Sequence, residues 1–335
     1  MFKRSLFLVT LFALLMSACA PQPLPTPTEA PTPAPTETPL MKIRLPMGYI
    51  PNVQYAPLYV AAAKGYFAEA GFEVEFDYSY ETDGIALVGA GQLPFSLASG
   101  EQILLARAQG LPVVYVMGWY QQYPISVMAK TTSEITSPQD FRNRKIGLPG
   151  LFGANYIGLL AMLYANDVRE DEVSLESIGF NQVEALATDQ VEIVVGYAAN
   201  EPVVLRSKGY SLTEWRTSEY VQLASNGIVS NEKTIAENPE MVQAFVEAML
   251  KGIRDTLRDP DAAYEICFDY VENLREADQS VQKQVLGTSI EMWRAERLGY
   301  SEPQAWENMQ DVLIKMGMYS EPLDLSQAFT NQFIP

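Results

Sequence analysis

The sequence predicts an α/β protein of two lobes. Each lobe is a mainly parallel sheet flanked by helices, and two crossing strands join them. Three observations carry this expectation. Strand-like and helix-like segments alternate from Lys42 to Lys208, the βαβ rhythm that builds parallel sheets. Val113–Met117 and Val191–Val195 read as buried strands, as expected where helices cover both faces of a sheet. The rhythm runs through two units, and the chain then returns at Gly227–Ser230.

In the first unit, Lys42–Tyr49 is an alternating strand and Ala56–Lys64 a short helix closed by Gly65-Tyr66-Phe67. Phe72–Tyr78 is a strand, Gly84–Ala90 a helix, Phe95–Ala98 a short strand and Glu101–Gln109 a helix stopped by Gly110. Tyr59, Tyr66 and Phe67 are assigned to the core because they sit on helix faces. In the second unit, Ile125–Ala129 is a strand, and Ser137-Pro138 opens a short helix with a serine cap and proline in its first turn. Lys145–Leu148, Val173–Phe180 and Val191–Val195 are strands. Asn155–Ala165, Val183–Ala187 and Glu201–Lys208 are helices. The last third is helical: Met241, Phe245, Met249 and Ile253 mark the buried stripe of Pro239–Leu257. Asp261–Tyr270, Ser280–Leu298 and Pro303–Met316 follow. The expected lobes are residues 41–122 plus 228–335, and residues 123–227.

Composition excludes several functions. Lys and Arg total 23 against 41 Asp and Glu, a net charge of −18 spread along the chain, so nucleic acid is not an expected partner. There is no histidine, the commonest general base and transition-metal ligand. The two cysteines, Cys19 and Cys267, are far apart, so neither a zinc site nor a CxxC redox motif can form. No metal and no cofactor are expected.

Residues 1–18 combine Lys3 and Arg4 with the apolar run Leu6–Met16 and small residues before Cys19, the pattern of a cleaved signal peptide. Leu15-Met16-Ser17-Ala18-Cys19 resembles the bacterial lipobox, which implies an acylated Cys19; the usual leucine three places before the cysteine is Met16 here. Residues 19–40 are rich in Pro and Thr without apolar periodicity, a tether that proline keeps extended at about 3 Å per residue.

Four segments carry a family resemblance. They are Gly48-Tyr49-Ile50-Pro51-Asn52 with Ala56-Pro57-Leu58-Tyr59; Lys64-Gly65-Tyr66-Phe67 with Glu69-Ala70-Gly71; Gly89-Ala90-Gly91-Gln92; and Gly110-Leu111-Pro112-Val113. Together they resemble the bacterial substrate-binding proteins for sulfonates, nitrate, thiamine pyrimidine precursors and riboflavin, with the last two branches most similar. The resemblance implies a periplasmic-binding-protein fold of type II and a lipid-anchored subunit on the extracytoplasmic face of the cell membrane. It also implies a small ligand held between the lobes and, as partners, an ABC permease and through it an ATPase subunit. An enzyme on the same fold makes the thiamine pyrimidine from its own histidine; without histidine, that reading loses its reactive group.

Strand ends should line the cleft between lobes. They offer Asn52 and Tyr55, Tyr78 and Tyr80, Glu101, Trp119 and Tyr120, Asn155 and Tyr156, and Tyr197 and Glu201. Tyr and Trp supply flat apolar faces, and Asn both donates and accepts. None of these strand-end segments contains Arg or Lys, which disfavours sulfonate or nitrate, although the amides of Gly150–Asn155 could still cradle an anion. The expected ligand is a neutral aromatic vitamin, riboflavin first, with the formylated or hydroxymethylated aminopyrimidine precursor of thiamine as the alternative.

Overall fold

A computed structural model describes residues 39–335; the leader, Cys19 and nearly all of the tether lie outside the described residues. The first sheet system begins with β1 (Met41–Pro46), whose every residue pairs in parallel with β2 (Phe72–Asp77). Beside it lie β3 (Ser96–Ala98) and β4 (Val113–Gly118). The second sheet contains β5 (Ile125–Lys130), β6 (Lys145–Leu148), β7 (Ser174–Ser177), β8 (Ile193–Tyr197) and β9 (Leu212–Arg216), in the order β7-β6-β8-β5-β9. The chain then returns as β10 (Gly227–Asn231), which inserts between β3 and β4.

In each system one strand opposes its neighbours. β10 is antiparallel to both β3 and β4, and β5 is antiparallel to both β8 and β9. β6 runs parallel to β7 and β8. The two opposed strands are those that follow the crossings, residues 119–124 and 217–226. The mainly parallel order is therefore kept, and each system receives one reversed strand when the chain enters from the other.

The elements expected from sequence are present, with shifted ends. β1 stops at Pro46 rather than Tyr49 because Gly48 turns the chain at φ +85°. The helix expected over Ser280–Leu298 spans Gln279–Trp293, since Arg294 is extended at ψ 132°. β9, the short helix Glu232–Glu237 and the turn of helix Leu325–Ala328 were not expected. Tyr59 and Phe67 are buried as expected. Tyr66 is not: it is half-buried, and its hydroxyl donates to Asp255 at 2.5 Å. That carboxylate is also bonded by Lys64 at 2.6 Å.

The helix Pro239–Arg258 carries Phe245, Met249 and Ile253 into the core, where Phe245 stacks on Phe95 at 4.1 Å. It crosses the helix Ala56–Ala63 at Gly252, where an added Cβ would collide with the Pro57 carbonyl and lie 2.9 Å from the Ala61 Cβ. Alanine is the better helix former by about 1 kcal/mol, but overpacking a tight crossing costs roughly 1–3 kcal/mol. Gly252→Ala is therefore expected to lower the urea midpoint. Gly287, inside Gln279–Trp293 with open space where a Cβ would go, supplies the matched control. Gly287→Ala should raise stability by about 0.5–1 kcal/mol. A stabilising Gly252→Ala would contradict the crossing geometry.

Candidate functional site

A cleft of about 1040 Å³, open solvent at its mouth included, lies between the two sheet systems. The first system presents Met47–Tyr49, Gln54, Tyr55, Tyr80–Thr82 and Gln102 to it. The second presents Pro149, Phe152–Asn155, Phe180, Gln182, Tyr197 and Glu201. The crossings add Trp119, Tyr120 and Asn226. No Arg or Lys is among these lining residues.

Of the residues named from sequence, Tyr55, Tyr80, Trp119, Tyr120, Asn155, Tyr197 and Glu201 come together here. Four stand elsewhere. Asn52 caps the short turn Val53–Tyr55, its Oδ1 accepting the Gln54 amide at 3.0 Å. Tyr78 shares a 2.8 Å hydrogen bond with the Tyr59 hydroxyl. Tyr156 points away and donates to Glu170 at 2.7 Å, because a residue one step from Asn155 on a helix faces about 100° away. Glu101 is wholly buried behind Ser99.

Trp119 packs in an aromatic cluster with Tyr55 at 5.5 Å, Trp293 at 5.9 Å and Tyr120 at 4.9 Å, and is only 4% exposed. The more exposed rings stand at the mouth, where two pairs meet edge to face across the cleft. Tyr49, after β1, meets Phe180, after β7, at 4.8 Å and 85°. Tyr80, before the helix Glu81–Gly89, meets Phe152, before the helix Gly153–Ala165, at 5.8 Å and 83°. Tyr49, Phe152 and Phe180 were not singled out from sequence. Leu151 and Phe152 are both half exposed, and an apolar pair just after a strand end was the available signal.

The floor is polar. The Glu81 carboxylate accepts the Ser99 amide at 3.0 Å and the Ser99 hydroxyl at 2.6 Å through one oxygen, and Asn226 Nδ2 at 3.2 Å through the other. Gly48 makes room for it, since a Cβ there would sit 2.6 Å from Glu81 Cγ. Ser99 Oγ also bonds Glu101, whose other oxygen accepts the Tyr123 hydroxyl at 3.1 Å. Asn226 also bonds the Tyr197 hydroxyl at 3.2 Å, and its carbonyl accepts the amides of Trp119 and Tyr120. Glu201 accepts the Tyr197 amide at 2.7 Å and Asn200 Nδ2 at 3.1 Å. Asn226 was not named from sequence as a site residue. The polar pair Ser225-Asn226 before Gly227, in a crossing already recognised, was the usable clue.

Burial pushes the Glu201 carboxyl up to about 7, and burial with the nearby Glu81 charge does the same to Glu101. Because these carboxyls hold their protons longer in the folded chain than in the unfolded one, their contribution to stability is full below about pH 4.5 and is lost as pH rises from there through about 7. The chain has no histidine, so carboxyls dominate its titration in this range. Urea unfolding at about pH 5.5 and about pH 8 should show a loss on the order of 1–3 kcal/mol. Glu101→Gln or Glu201→Gln should each remove part of that loss, and an unchanged pH slope in both variants would refute the assignment.

The comparisons with known proteins agree with this geometry. Residues 52–263 match the family model "NMT1/THI5 like". The chain is 43% identical over 343 aligned positions to the riboflavin-binding protein RibY of Chloroflexus aurantiacus, covering 99% of this chain and 98% of that protein. It is 28% identical to the formylaminopyrimidine-binding protein of Halalkalibacterium halodurans, covering 87% and 90% of the two chains. Among solved structures it resembles the alkanesulfonate-binding protein SsuA of Xanthomonas axonopodis pv. citri bound to MOPS. That match has a TM-score of 0.68 at 14% identity over 88% of this chain and 99% of that one, a likeness of fold. With its two sheet systems, its paired crossings and the matched span, this chain belongs to the NMT1/THI5-like family, on the two-lobed type II periplasmic-binding-protein fold.

Proposed function

We propose that this protein is the extracytoplasmic solute-binding subunit of an ABC importer and that its cleft captures riboflavin for delivery to a permease. The observation that carries the reading is a cleft lined by aromatic rings, amides and carboxyls, without a cation, in a chain 43% identical to a riboflavin-binding protein over nearly its whole length. A sulfonate or nitrate is best held by Arg or Lys, and the lining supplies two carboxyls instead. A neutral tricyclic ring suits aromatic walls, and its amide edge and ribityl hydroxyls suit Asn155, Asn200, Asn226, Glu81 and Glu201. The same carboxyls favour the aminopyrimidine precursor of thiamine as the second reading, since an exocyclic amino group donates to them. Catalysis of the histidine-consuming kind is disfavoured, because the sequence has no histidine.

In this reading, lobe one comprises residues 41–122 plus 228–335, lobe two comprises residues 123–227, and the cleft closes on the ligand by hinge motion at the crossings. Acylated Cys19 and the Pro/Thr tether hold the protein at the membrane.

Riboflavin should bind near one per chain, with quenched fluorescence and little salt dependence, because the ligand is neutral. Trp119→Ala should weaken it by roughly 1–3 kcal/mol by removing the ring that supports Tyr55 and Tyr120. Calorimetry with riboflavin, the formylated aminopyrimidine and taurine side by side decides the ligand, and tight taurine binding with silence from both heterocycles would overturn the neutral-aromatic reading. For the anchor, Cys19→Ala should release the protein from the membrane fraction; a variant as membrane-bound as the parent would exclude acylation there.

A further inference from the structure

We propose that Glu81 is the specificity-determining acceptor of the cleft, kept as a carboxylate because the one proton it shares with Glu101 resides on Glu101, and that it takes a ring N–H of the bound heterocycle. The proposal rests on the reading of the ligand as a neutral heterocycle and adds which protein group reads it.

The Ser99 hydroxyl carries one hydrogen, yet its oxygen lies in hydrogen-bond contact with both the Glu81 and Glu101 carboxyls. That hydrogen can serve only one of them, so the other carboxyl must bring its own. Every hydrogen-bond partner of the pair is a neutral amide or hydroxyl, so no cation bonds to the pair to compensate two adjacent negative charges.

Donor supply decides where the proton sits. Glu81 is served by the Ser99 amide, the Ser99 hydroxyl and Asn226 Nδ2. Glu101 is served on its far side by the Tyr123 hydroxyl, which also reaches the Ala154 carbonyl at 3.2 Å. Besides the shared Ser99 hydroxyl, two donors, the Ser99 amide and Asn226 Nδ2, stabilise charge on Glu81, against the Tyr123 hydroxyl as the one donor from another residue to Glu101. Glu101 then donates through Ser99 to Glu81, a chain in which every bond has one hydrogen. The other titratable groups facing the pair are the hydroxyls of Tyr55, Tyr123 and Tyr197, and burial raises all three above the usual phenol range, so they remain neutral donors. Glu81 lines the cleft and Glu101 does not, so the charge is presented to the ligand and the proton is stored behind it.

A carboxylate accepts and never donates. The floor therefore discriminates in favour of heterocycles with a ring N–H and against N-alkylated analogues. The test compares riboflavin with its N3-methyl analogue in three proteins, alongside infrared difference spectra of the ligand-free proteins at about pH 6. The wild type should prefer riboflavin at least about tenfold, the value of a hydrogen bond to a charged group. Glu81→Gln should bring that ratio to near unity. Glu101→Gln, whose amide donates to Ser99 as the acid does, should retain it within about threefold. In the spectra, Glu101→Gln should lose a protonated-carboxyl band and Glu81→Gln an ionised one. A preference that survives Glu81→Gln, or a protonated band lost from Glu81→Gln instead, overturns the proposal. Failure of both flavins to bind, with the spectra as expected, rejects the flavin as ligand and leaves the charge assignment standing.

Discussion

Asn226 is the point on which the two halves of this protein are joined. Its carbonyl accepts two amides of the other crossing segment, from Trp119 and Tyr120. Its side chain reaches Glu81 of the first sheet system and Tyr197 at the end of β8 in the second. One side chain and one carbonyl thus tie both crossings and both walls at the floor of the cleft. Burying the Asn226 side chain with Glu81 and Tyr197 is tolerable because they bond one another. The aromatic cluster around Trp119 packs directly beside this junction, where the chain passes between the two sheet systems.

In the proposed closure, the two edge-to-face pairs at the mouth bridge the two sheet systems. Each contributes about 0.5–1.5 kcal/mol, enough to bias the lobes toward closure but too little to hold them shut against solvent. A ligand that displaces or supplements those contacts then shifts the balance by its own differential affinity. On the proposed reading the floor would supply discrimination and the mouth retention, dividing the work between hydrogen bonding and apolar contact.

Much of this was legible in the sequence. Helix and strand periods placed nearly every element because the buried stripes are long and apolar, as in Phe245, Met249 and Ile253. β9 escaped because its residues Leu212–Arg216 are largely half-buried and carry Thr, Glu and Arg. In the site, residues on the crossings and immediately after strands were found, as with Trp119, Tyr120 and Tyr197. Tyr78, Glu101 and Tyr156 show the limit of that rule: strand ends locate the cleft, but a shift of one residue turns a side chain into the core or out to solvent. Tyr49 and Phe180 meet only in three dimensions, and neither neighbourhood alone announces the pair.

The reversed strands have a consequence for how the chain is made. β10, residues 227–231, fills the gap between β3 and β4, so the first sheet system waits for a segment synthesised more than a hundred residues after its flanking strands. Until that segment emerges, β3 and β4 expose unpaired edges and the apolar faces of Leu97, Val114 and Val116. The second sheet needs nothing beyond β9 and can close earlier. Such long-range pairing slows folding. The nascent first half must therefore be kept from aggregating, whether by chaperones or by threading across a membrane, until its late strand arrives.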